Sequence, residues 1–120
     1  MANRVFLNKE GFIEQTYEGK QTFETVLRAA ARVMVVADKL HKNSKKVRVL
    51  VNIAEITNVS ADALLAGADA LNTIYKSKVA LFGGQAFVNK LANLVIAAVG
   101  RQKTVAIFKN RKQAENWLKS

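Results

Sequence analysis

The 120-residue chain has no cysteine, no proline and a single histidine. Without cysteine it has no disulfide scaffold, no zinc–thiolate site and no thiol nucleophile, and the composition fits a reducing compartment. Without proline, and with no repeat or low-complexity stretch, nothing reads as a linker, so residues 1–120 are expected to form one domain. One histidine leaves a Ser-His-acid triad without supporting spacing. His41 falls among lysines at an expected helix end, where a surface role accounts for it. Asp62 and Asp69 are seven residues apart on an expected helix, but two carboxylates define neither a magnesium site nor an acid/base pair. No catalytic residue, metal site or cofactor is therefore expected, and the chain reads as a non-enzyme. The N-terminus lacks the regions of a signal peptide, and no apolar segment reaches the ~20 residues of a membrane span, so a cytoplasmic protein is expected.

Acids are scarce in one part of the chain only. Met1 to Tyr75 carries 10 basic and 8 acidic residues, whereas Lys76 to Ser120 carries 9 basic residues and one acid, Glu115. The asymmetry fits an anionic partner or a plain solvated basic surface. A band of Lys76, Lys78, Arg101, Lys103, Lys109, Arg111 and Lys112 would suit nucleic-acid phosphates, with steep salt dependence. Phe82, Phe87, Phe108 and Trp117 follow strand or inward-facing helix patterns, leaving no stacking platform, so nucleic acid ranks behind a protein partner.

What is present is a strongly patterned α/β sequence, with hydrophobic content of 50%. Arg4 to Asn8 and Phe12 to Tyr17 alternate as two strands around Lys9-Glu10-Gly11, a short hairpin with glycine at its turn. A helix is expected from an N-cap at Thr22, with Phe23, Val26, Leu27, Ala30, Met34, Ala37 and Leu40 as its buried stripe and Glu24, Arg28 and Arg32 opposite. Val47 to Ile53 reads as a strand buried on both faces, and Ala54 to Val59 as a connector. Ser60 then caps a helix running to about Lys76, with Leu64, Leu65, Ala68, Leu71, Asn72 and Tyr75 inward. Lys78 to Gly84, Ala86 to Gly100 and Thr104 to Leu118 follow as strand, apolar helix, strand and closing helix. Gly83-Gly84 before a helix can bring N–H groups toward an anion, although it matches no phosphate-loop fingerprint.

In this order the chain resembles the STAS-like superfamily, in its SpoIIAA-like (STAS/SEC14-like) branch. The residues that carry the resemblance are Lys78-Val79-Ala80, the apolar helix closed by Gly100-Arg101, Val105 to Phe108, and Ala114-Glu115-Asn116-Trp117-Leu118. It implies a mostly parallel five-stranded sheet with four helices behind an N-terminal hairpin, and a regulatory role through a protein partner. In STAS antagonists a strand runs into an Asp-Ser-Ser-Gly type turn whose serine is phosphorylated. The resemblance sets Ser60 at the aspartate, Ala61 at the first serine, Asp62 at the phospho-acceptor and Ala63 at the glycine. Asp62 cannot be switched by serine phosphorylation, but it puts a fixed negative charge there. The plainer reading is Ser60 as cap and Asp62 as a dipole-matched first-turn acid.

The helix Ala86 to Val99 has only Asn89, Lys90 and Asn93 as polar residues after Phe87, too few for an ordinary solvent face. It is too short to span a bilayer. Phe87, Leu91, Leu94, Val95 and Ile96 are thus expected either in a homodimer interface, the favoured reading, or along an apolar ligand or membrane contact, unless the helix is buried within the domain. Lys90, Arg101 and Lys103 flank it as candidate contacts for an anionic small molecule or lipid phosphate.

Overall fold

The computed structural model describes residues 3–74 and 77–120. Their order is β1 (Arg4–Leu7), β2 (Ile13–Gln21), α1 (Phe23–Lys42), β3 (Arg48–Val59), α2 (Ala61–Thr73), β4 (Lys78–Phe82), α3 (Ala86–Val99), β5 (Val105–Phe108) and α4 (Arg111–Lys119). The strands lie side by side in chain order, β1 antiparallel to β2 and each later pair parallel. With every parallel step taken in the same direction, right-handed crossovers place all connecting helices on one face. The core follows suit. Ile13, Val49, Val51, Ile53, Val79 and Val105 pack with Val33, Ala37, Val88 and Ile96 of α1 and α3. The alternate residues Leu50, Ala80 and Phe82 join Phe12 under Ala114 and Leu118 of α4. The period-2 alternation of these strands thus builds two cores, one on each side of the sheet.

The hairpin turns at Gly11, whose φ of +82° is open to glycine at no steric cost. Three expectations are corrected. Ala54 to Val59 is not a connector: β3 runs on through it beside a longer β2, and the pairing slips at Thr16/Glu18 and Gly19/Lys20, where irregular pairing hides the strand from a periodicity reading. On α1 the buried stripe is Val26, Ala29, Val33, Ala37 and Leu40. Phe23 and Leu27 are exposed, while Ala29 and Val33 take the inward positions. On α2 the buried residues are Ala63 and Ala66, while Leu65 and Asn72 point to solvent. Tyr75 and Lys76, assigned to that helix from sequence, lie outside the described residues. Thr22 does cap α1, in a reciprocal box with Thr25.

Candidate functional site

The fully buried side chains of α2 are small. Ala63, Ala66, Gly67 and Ala70 share one side, and the helix rests on α1 and α3 rather than on the strands beneath it. A helix so poor in volume cannot fill the layer below, and a cavity of about 180 Å³ remains. Its floor is Val49, Val51, Val79 and Leu81; its walls are Val33 and Met34 of α1 and Val88, Leu91 and Val95 of α3. Leu64, Gly67 and Leu71 of α2 and Leu91 and Val95 of α3 are only half-buried and form its rim. The space is open at this rim, so it is an apolar cleft and not a sealed void.

Three polar side chains from β2 reach this otherwise apolar space: Gln15, Tyr17 and Gln21. Ile13, Gln15 and Tyr17 share one strand face by alternation, which sets the two polar groups among core residues. The Gln15 amide donates to the Tyr17 hydroxyl at 2.8 Å. Burial pushes the Tyr17 hydroxyl well above the usual phenol range, partly opposed by that hydrogen bond, so it stays protonated. Gln21 is committed elsewhere, accepting from Asn3 and Thr25 and donating to Asn3 and the Glu18 carbonyl.

Gly67 sits in mid-helix with open space where a Cβ would stand. Gly67→Ala is therefore expected to stabilise the domain by about 0.5–1 kcal/mol, read as a raised urea midpoint.

The outer surface of α2 and α3 is the second feature. Leu65 is 68%, Leu94 65% and Phe87 42% exposed. Leu91 and Val95 are half-buried at the cavity rim, and Ile96 is buried against the sheet. Of the five residues grouped from sequence on one apolar face, Phe87 and Leu94 thus face out, while Leu91, Val95 and Ile96 line the cavity, Ile96 also belonging to the core. Lys90 is the one charge on α3, and the exposed acids Asp62 and Asp69 bracket Leu65 on α2.

Ser60 stands at the N-cap of α2 but makes no side-chain cap; its hydroxyl donates to the Asp62 carboxylate, which is exposed in the first turn. Lys90, Arg101 and Lys103 do not converge. Lys90 and Arg101 are eleven residues apart along α3 and its cap, about 16 Å. Arg101 donates from Nη1 to the Leu71 carbonyl and from Nη2 to the Ser77 carbonyl, both at 2.7 Å, and from Nε to Thr104 Oγ1 at 3.0 Å. It is a clamp on the end of α2 in place of an open anion contact. Lys103 is exposed.

The basic band is depleted in the same way. Lys78 donates to the Trp117 and Ser120 carbonyls at the end of α4, and Arg111 pairs with Glu14 and Glu115. Phe82 is buried, and Phe108 packs on Trp117 with ring centroids 5.5 Å apart. The Gly-Gly turn has a packing origin: a Cβ on Gly84 would fall 2.7 Å from Ile53 Cδ1, and Gly83 has φ +82°. Among the described residues no cluster of three or more His, Cys, Asp or Glu side chains could hold a metal ion, and no helix is long and apolar enough to cross a membrane.

A family model for a domain of unknown function, DUF7793, matches residues 8–120. The chain belongs to the DUF7793 family. No curated protein sequence matches this DUF7793 chain. Among solved structures it is similar to the anti-sigma factor antagonist SpoIIAA in its unphosphorylated form, with TM-score 0.62 and 8% identity over 99% of both chains. It is also similar to an uncharacterised DUF3478-family protein with a SpoIIAA-like fold from Shewanella loihica PV-4, with TM-score 0.60 and 18% identity over 98% of this chain and 92% of that one. The DUF7793 domain accordingly has a STAS-like, SpoIIAA-like fold. The sequence singled out neither Gln15 nor Tyr17 nor Gly67 for function. Glutamine at an inward position of β2 and glycine on the inward side of α2 are the signals that mark them.

Proposed function

We propose that this domain is a non-enzymatic, cytoplasmic interaction module that pairs with a second copy of itself through the outer faces of α2 and α3, and that the pair engages a regulatory protein partner. The carrying observation is the exposed row of Leu65, Leu94 and Phe87. Charge favours a second copy as the occupant of this face. α2 offers Asp62 and Asp69 and no base, α3 offers Lys90 and no acid, so a two-fold axis between them sets the acids of one protomer against the base of the other. The likeness to an anti-sigma factor antagonist supports the regulatory reading, with Asp62 supplying a fixed negative charge beside Ser60.

Leu94→Glu tests it by sedimentation velocity. The wild-type chain is expected to sediment as a dimer at micromolar concentration and the variant as a folded monomer. A variant of unchanged assembly and fold rules out this face. Ile96→Glu is no equivalent test, since a buried charge there unfolds the domain.

The cavity beneath α2 favours a second reading, in which the module also holds an apolar small molecule.

A further inference from the structure

We infer that the cavity beneath α2 binds a small neutral amphiphile, an apolar ring or short alkyl chain bearing one uncharged hydroxyl or carbonyl, with that group seated against Gln15 and Tyr17. This rests on the ligand-holding reading and adds the ligand's chemistry. Size sets the first limit. An apolar protein cavity of about 150 Å³ takes up benzene. A space of about 180 Å³ accommodates one substituted ring or an alkyl segment of similar bulk.

Charge sets the second limit. Among the described residues no Asp, Glu, Lys, Arg or His lines the cavity, so an ionised head would be desolvated without a counter-charge from them. A neutral head has partners. Gln15 is only 5% exposed, and its amide already donates to the Tyr17 hydroxyl. Among the described residues nothing donates to the Gln15 side-chain carbonyl, and nothing accepts the Tyr17 hydroxyl proton. A free acceptor on Gln15 and a free hydroxyl proton on the half-buried Tyr17 thus stand beside an apolar space. Side by side at the cavity wall, the two offer a ligand's polar atom both an acceptor and a donor, which marks where that atom belongs. Gly67 supplies access, as a rim position with no side chain and open space in front of it.

Titrating the isotopically labelled full chain with p-cresol and with toluene, read by amide chemical shifts, tests both layers. Both probes are expected to shift amides of the cavity-lining residues of β2, α2 and α3. p-Cresol should bind roughly fivefold more tightly, whereas a purely apolar pocket would favour toluene because burying an unpaired hydroxyl is costly. Tyr17→Phe should weaken p-cresol by roughly fivefold and leave toluene unchanged. Gly67→Leu, which grows into the open space from a helical position, should exclude both while preserving the remaining spectrum. If neither probe moves the cavity amides, the ligand-holding reading itself fails. If both bind equally or toluene binds better, and Tyr17→Phe changes neither, holding survives and the assignment of a polar-headed ligand falls.

Discussion

Arg111→Met is expected to destabilise the domain by about 2–3 kcal/mol at neutral pH and by much less near pH 3, measured as urea unfolding at the two pH values. Arg111, at the start of α4, reaches back across the lower face of the sheet to Glu14 on β2, its two terminal guanidinium nitrogens each donating to one carboxylate oxygen. Asn8 donates to the same carboxylate, and the guanidinium lies 5.2 Å from the Phe82 ring centroid. Glu14 is buried, so removing the cation leaves its charge with one neutral donor. The hydrogen bond from Arg111 outweighs burial and holds the Glu14 carboxyl below the usual carboxylate range. A carboxyl whose folded-state pKa is depressed contributes stability above its unfolded value and loses it as the pH falls through the folded one. The gap between wild type and variant must therefore close in acid. Methionine keeps an apolar stem over Phe82, so an equal loss at both pH values would assign Arg111's contribution to packing instead.

Arg101→Met should cost about 3 kcal/mol, and Arg101→Lys should recover little of it. The guanidinium joins three acceptors on three segments, the end of α2, the entry to β4 and the entry to β5, in a fork that an ammonium cannot reproduce. Two of these acceptors are backbone carbonyls flanking the link between α2 and β4, so the damage should be local as well as global. Hydrogen exchange is expected to speed up first in the last turn of α2, with α4 still protected. Uniform loss of protection would show that α2 has no independent mobility.

Element order was legible in the sequence because strands and helices here differ in period. The alternation around Gly11 marked the hairpin, and Gly100, with φ +71° at the end of α3, marked a helix stop. The tail of β3 was hidden, since bulged pairing with β2 breaks the alternation that identifies a strand. Helix faces were misjudged wherever size ran against hydrophobicity. Leucine ranks as more apolar than alanine, yet Ala63 and Ala66 are buried and Leu65 is not, because close helix–helix approach selects for small side chains. The cavity was invisible for the same reason, being a deficit of volume spread over three helices and three strands. Arg101 and Arg111 look like solvent-seeking charges in a basic segment, and only tertiary structure supplies the carbonyls and the carboxylate that engage them.

The side-by-side strand order has a consequence for synthesis on the ribosome. Each parallel strand docks on its immediate predecessor, so the sheet and its upper helices can assemble in the sequence in which they emerge. The lower face cannot, because Phe12, Leu50, Ala80 and Phe82 stay bare until α4, the last of the described elements, swings beneath them. A chain stalled just before Arg111 would hold a nearly complete sheet with one greasy side uncovered, an obvious target for a holding chaperone. The contact between Glu14 and Arg111, spanning 97 residues, is then the latch that holds α4 over the lower face.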